Sequence, residues 1–175
     1  GIDPVNRLKY EFGEETRVFD QTSDDFFAAR SVSDVLGAPF DFGFIDGMHL
    51  AEYALRDFIN MEANAHESSV IAIDDTLPAR NEFAEREPVV NAWTGDVYRL
   101  LAILTEYRPD LRITAFSVAV KGFTLVDRLD PASTVLRDRL DEITARIEAG
   151  DFMVEEVSEL KTLYGSLPVA EIEPF

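Results

Sequence analysis

Ser69-Val70-Ile71-Ala72-Ile73-Asp74-Asp75 is an uncharged, largely β-branched run that ends abruptly in two acids. Such residues favour strands, and a continuous apolar run suits a central parallel strand covered on both faces. The acids at its end then lie where open α/β sheets bind their ligands, beyond the carboxyl ends of the strands. Upstream, Phe40–Ile45 is a second apolar run and closes on Asp46-Gly47, a strand followed by a turn. Between the two, residues 50–65 place Leu50, Ala54, Phe58, Met61 and Ala65 on one helical face.

The alternation continues outward. Residues 16–19 predict a short strand, and residues 23–30 a helix with Ser23 as its cap and Asp24 and Asp25 in its first turn. Residues 77–93 are polar and irregular, a long loop. Residues 96–107 predict a helix with Val97, Leu100, Leu101 and Leu104 inward. Residues 112–120 and 123–126 form two strands around a tight turn at Lys121-Gly122, so one of them is antiparallel to the rest. Asp130-Pro131 begins a helix buried along Leu136, Leu140, Ile143 and Ile147 and ended by Gly150. The expected architecture is an α/β doubly wound sheet, mostly parallel, with one antiparallel strand near the C-terminus. Residues 1–149 make up the core, and residues 150–175 a short helix and a proline-containing tail.

Composition narrows the partners. The chain has 175 residues with a net charge of −18, from 34 acidic and 16 basic side chains, so its surface repels nucleic-acid backbones. No apolar run approaches the roughly 20 residues of a membrane span. Cysteine is absent, which removes disulfides and thiolate metal sites and fits a cytoplasmic setting. A homo-oligomer is compatible with all of this.

Three acids stand at strand ends: Asp46, Asp74 and Asp75. Neighbouring parallel strands lie about 4.8 Å apart, so their terminal carboxylates can converge. Crowded carboxylates repel unless a cation sits among them, and Mg²⁺ takes such oxygen ligands. The same acids could instead cap helix N-termini. His49, three residues beyond Asp46, lies at the mouth of the same loop and can take a proton from a hydroxyl. The other histidine, His66, reads as a surface residue. Asp3, in Gly1-Ile2-Asp3-Pro4, stands where Rossmann-like folds hold a ribose diol. A receiver domain also combines strand-end acids with a late lysine, here Lys121, but its acidic pair precedes the third acid, whereas Asp74-Asp75 follows Asp46.

Gly1-Ile2-Asp3-Pro4, Phe44-Ile45-Asp46-Gly47-Met48-His49 and Ile71-Ala72-Ile73-Asp74-Asp75, in this order, resemble signatures of class I S-adenosylmethionine-dependent methyltransferases. The group most similar is the small-molecule O-methyltransferases related to macrocin O-methyltransferase, with catechol O-methyltransferase more distant. Trp93-Thr94-Gly95-Asp96-Val97-Tyr98 looks like a loop-to-helix element of some of these enzymes. The resemblance covers residues 1–131 and implies a Rossmann-like fold. It implies that Asp3 holds the ribose of S-adenosylmethionine, with Thr22 and Ser23 bordering the adenine. It gives Asp46, Asp74 and Asp75 to Mg²⁺, Asp46 to the cofactor side as well, and His49 to the base position. The acceptor would be a hydroxyl of a small molecule. The family's first strand and glycine-rich loop are expected upstream of Gly1, so the chain as it stands should bind the cofactor weakly or not at all. Two alternatives stay open at this level: a non-catalytic α/β domain or inactive fragment serving assembly or partner binding, and a methyltransferase that needs no metal.

Overall fold

The computed structural model describes residues 1–5, 13–118, 120–165 and 167–168. Its centre is a five-stranded sheet: β1 (Phe40–Ile45), β2 (Ala65–Asp74), β3 (Arg112–Ser117), β4 (Phe123–Asp127) and β5 (Leu167–Pro168), in the order β1-β2-β4-β3-β5. β1 and β2 are parallel, with Ile45 opposite Ile73. β4 runs antiparallel to both β2 and β3, and β3 is parallel to β5, so β4 is the single reversed strand. That is the antiparallel member the hairpin predicted.

The helices are α1 (Ser23–Ala29), α2 (Val32–Leu36), α3 (Ala51–Glu62), α4 (Arg99–Tyr107), α5 (Val135–Asp138), α6 (Leu140–Glu148) and α7 (Leu160–Leu163). The main core joins Ile45, Ile71, Ile73 and Val126 of the sheet to Leu55 and Phe58 of α3, Leu100, Ile103 and Leu104 of α4, and Ile143 and Ile147 of α6. A second cluster of Leu77, Tyr98, Leu101, Ala115, Val157 and Leu160 ties the segment before α7 to β3. On the other sheet face Phe42 and Phe44 of β1 are 61% and 55% exposed. Among the described residues no helix is long and apolar enough to cross a membrane.

Several boundaries differ from expectation for local reasons. Thr22, not Ser23, caps α1, and its hydroxyl accepts the Asp25 N–H. The strand expected at 16–19 reduces to a parallel bridge between Ile2 and Phe19, with Asp3 N–H donating to the Phe19 carbonyl and Phe19 N–H to that of Gly1. The helix expected to reach Ala65 stops at Glu62, because Asn64 turns its side chain back to the Asn60 carbonyl and the Val32 N–H. Ala65 therefore begins β2. Asp130 caps only a turn, accepting from Ala132 N–H, and the helix begins at Val135. Gly150 closes α6 as expected, with a φ of 90° and paired bonds from Gly150 N–H to Ile147 and from Asp151 N–H to Arg146. Residues 119, 166 and 169–175, including most of the expected tail, lie outside the described residues.

Candidate active site

The sheet delivers Asp46 and Asp74-Asp75 side by side, because Ile45 and Ile73 are opposite each other and each strand ends at the next step. Asp46, Gly47, Met48, His49, Asp74 and Asp75 line one cleft with Ile45, Ala54 and Val97. Ligand atoms of Asp46, His49 and Asp75 all fall within 4.8 Å of one another. Asp74 lines the same cleft but stands outside this trio.

His49 lies between two carboxylates. Its Nε2 is 3.3 Å from Asp46 Oδ1, and its Nδ1 is 3.0 Å from Asp75 Oδ2. The second contact is close enough for an ion pair but lacks the alignment of a hydrogen bond, which leaves His49 Nδ1 a buried polar atom without a hydrogen-bond partner; the other carboxylate oxygen, Asp75 Oδ1, is likewise without one. Lys121, from the β3–β4 turn, brings its Nζ within 3.1 Å of Asp75 Oδ1. That turn is pinned by backbone bonds from Leu77 N–H to the Lys121 carbonyl and Ala79 N–H to that of Val120. Gly122 permits the approach, since a Cβ there would come within 2.5 Å of the Leu77 Cβ. Three acids thus face two basic groups.

The electrostatics follow. Asp46, and then Asp75, stabilise the imidazolium and hold the His49 pKa up at about 9, against an ordinary 6.5, although burial opposes this. The same contact holds the Asp46 carboxyl below the usual range. Burial pushes Asp74 up, and the Asp75 and Asp46 charges add to it. Two residues of this site also sit in left-handed backbone, His49 with φ 39° and Asp75 with φ 62°, which His and Asp tolerate better than most side chains. Such positions concentrate at functional sites.

The His49 shift has a consequence for stability. The folded cation-free protein holds this proton more tightly than the unfolded chain does. The contribution is therefore present in full below about pH 6.5 and is lost as pH rises through about 9. In chelator, the urea midpoint of the protein is expected to fall between pH 7 and pH 10. A His49→Gln variant should show a flatter profile, and parallel profiles would rule the ion-pair geometry out.

Other residues read from the sequence lie further off. Asp3 is exposed and its Oδ1 accepts the Val5 N–H. Thr22 and Ser23 begin α1. Asp57 of α3, which sequence reasoning passed over, lies between that turn and the cleft: Ser23 acts on its carboxyl, and its Oδ2 would lie 3.1 Å from a Cβ on Gly47. Burial pushes the Asp57 carboxyl up. Also unanticipated are the contacts of the 93–96 segment. The Trp93 ring stacks on His49 with centroids 5.0 Å apart, and Asp96 Oδ1 accepts the Ala51 N–H at 2.8 Å.

No family model and no curated protein matches the chain. Solved structures similar to it include the following two. One is cofactor-bound Rv0187 from MTB, 21% identical with a TM-score of 0.49, over 65% of this chain and 49% of that one. The other is the O-methyltransferase from Bacillus cereus in complex with SAH, 19% identical with a TM-score of 0.43, over 63% and 50%. The chain spans about half the length of the solved structures it matches.

Proposed function

We propose that this chain belongs to an S-adenosylmethionine-dependent, Mg²⁺-assisted O-methyltransferase that methylates a hydroxyl of a small molecule. The observation that supports this most is the convergence of Asp46, His49 and Asp75, beside Asp74, beyond the carboxyl ends of two adjacent parallel strands. The three motifs that resemble class I methyltransferases include all four of these residues.

A divalent cation suits the residues present. Asp75 is 1% exposed, its carboxylate is faced by His49 and Lys121 without an aligned hydrogen bond to Oδ1, and the cleft is rich in hard oxygen ligands. Asp46, Asp74 and Asp75 would hold Mg²⁺, which when bound would acidify an acceptor hydroxyl. S-adenosylmethionine would be held on the side of Asp3, Thr22, Ser23 and Asp46. His49 is the proton acceptor. With Asp46 and Asp75 facing it the ring keeps its own proton, so it can act as a base only when those carboxylates are engaged elsewhere. The acceptor oxygen would then bond to the methyl carbon as the carbon–sulfur bond breaks, and the hydroxyl proton would pass to His49. Most of the rate would come from holding the oxygen in line. The acidic surface, with its charge of −18, argues for a small acceptor over a nucleic acid. A cytoplasmic setting and a homo-oligomer belong to the same proposal.

The test is calorimetric titration of S-adenosylhomocysteine, with Mg²⁺ and with chelator, followed by labelled methyl transfer to a panel of vicinal diols. Binding together with Mg²⁺-dependent transfer is the result that supports the proposal in full. Transfer unaffected by chelator would remove the metal and keep the methyl chemistry. If S-adenosylhomocysteine fails to bind under both conditions, the alternative reading holds and this chain by itself is an inactive fragment.

A further inference from the structure

We infer that Trp93 is a positioning residue for His49, the top of a clamp formed by residues 93–96 over the 46–51 turn, a role that rests on the methyl-transfer function proposed above. Three contacts within this short stretch converge on that turn. The indole ring lies nearly parallel to the His49 ring, 19° apart with centroids at 5.0 Å. The indole is itself anchored, since Trp93 Nε1 donates to the Glu85 carbonyl at 2.6 Å. Two residues on, Gly95 passes so close to the His49 backbone that an added Cβ would come within 1.7 Å of the His49 carbonyl oxygen. Only a glycine fits there, and its φ of 57° favours one as well. Asp96 then takes the Ala51 N–H, a donor of the first turn of α3 that has no partner within its own helix.

The effect on His49 is geometric. A strained left-handed residue does not hold its conformation unaided; its surroundings must over-determine it. The carboxylates of Asp46 and Asp75 define where the ring edge points. The indole covers a ring face, and Gly95 and Asp96 fix the backbone that carries it. Trp93 stacks on His49 and is not among the residues that line the cleft of the acids, so its influence on a ligand there passes through His49.

Composition makes the experiment clean. The chain has two histidines and one tryptophan. His66 pairs with exposed Asp41 in another part of the fold and serves as an internal reference. Histidine ring signals of the full chain would be recorded by NMR for the wild type, Trp93→Ala and Trp93→Phe. In Trp93→Ala the His49 ring signals should move downfield and broaden as the stacked ring is lost, while those of His66 stay in place. Trp93→Phe restores an aromatic face and should return the His49 signals most of the way. Mn²⁺ added to the same samples should bind about 10-fold more weakly to Trp93→Ala than to wild type, the scale expected for a residue supporting a metal site from outside it. His49 signals that are unchanged in Trp93→Ala, or moved equally in Trp93→Phe, overturn the clamp. Failure of the wild type to bind Mn²⁺ counts against the proposed cation site and leaves the NMR comparison to decide the clamp.

Discussion

Asp96→Ala is expected to destabilise the protein by about 3–5 kcal/mol, the range for removing one partner of a buried ion pair. Asp96 is 2% exposed and so is Arg99. Asp96 Oδ2 accepts from Arg99 Nη1 at 2.8 Å and from Arg86 Nη1, while Oδ1 caps α3 through Ala51. Removing the carboxylate leaves the Arg99 guanidinium buried with only the Ile147 and Asp151 carbonyls. It also orphans a buried N–H. Arg86 suffers less, because it is part-exposed and keeps Glu52. Asp96→Asn retains an oxygen for Ala51 but sets an amide N–H donor against Arg99 and Arg86, so it keeps the cap, loses the ion pair and should fall between Asp96→Ala and the wild type. Urea denaturation of the three proteins is the measurement. A loss for Asp96→Ala below about 1 kcal/mol, the range of an exposed pair, would mean that water or Glu52 compensates and that the network does not hold the 46–51 turn.

The same network marks the boundary of what the sequence discloses. β1, β2 and the hairpin were legible because apolar β-branched runs bounded by Asp46-Gly47, Asp74-Asp75 and Lys121-Gly122 have few other uses. The placement of Asp46 and Asp75 followed from that, since neighbouring parallel strands bring their ends together whatever the rest does. The converging trio is less simple. Sequence spacing grouped Asp74 with the other acids, whereas His49 is the residue that lies between Asp46 and Asp75, and a strained loop conformation decides that. The short α2 escaped notice because its stability comes from a capping box, with Ser31 and Asp34 exchanging hydrogen bonds, and not from an apolar stripe. Asp96 reads in sequence as the first residue of the helix that follows it. In the fold that helix starts at Arg99, and Asp96 caps α3 instead, 45 residues away in the chain. A buried Asp and Arg at i and i+3 was the available hint, but only tertiary structure reveals the partner. The stack of Trp93 on His49 is likewise set by tertiary structure and not by sequence spacing.

Asp75→Asn is the variant expected to have the largest effect on ligand binding: the affinity for a divalent cation should fall by about 100-fold or more, at the upper end of losses from changes around a metal site. The substitution isolates charge. Asn has the shape of Asp and tolerates the left-handed conformation that residue 75 adopts, so the backbone has no cause to move. What disappears is the buried negative charge that faces both His49 Nδ1 at 3.0 Å and Lys121 Nζ at 3.1 Å. With that charge gone the cleft keeps Asp46 and Asp74 against the two basic groups, and no excess of negative charge remains to draw in a cation. The His49 pKa should drop from about 9 toward its ordinary 6.5, since Asp75 is the second of the two carboxylates that raise it. Mn²⁺ binding by water-proton relaxation reads the first effect, and NMR titration of the His49 ring reads the second. A fallen His49 pKa with unchanged Mn²⁺ affinity would put the cation elsewhere and leave the histidine pair intact. Loss of both would tie the cation and the proton to the same carboxylate, the arrangement metal-assisted methyl transfer needs.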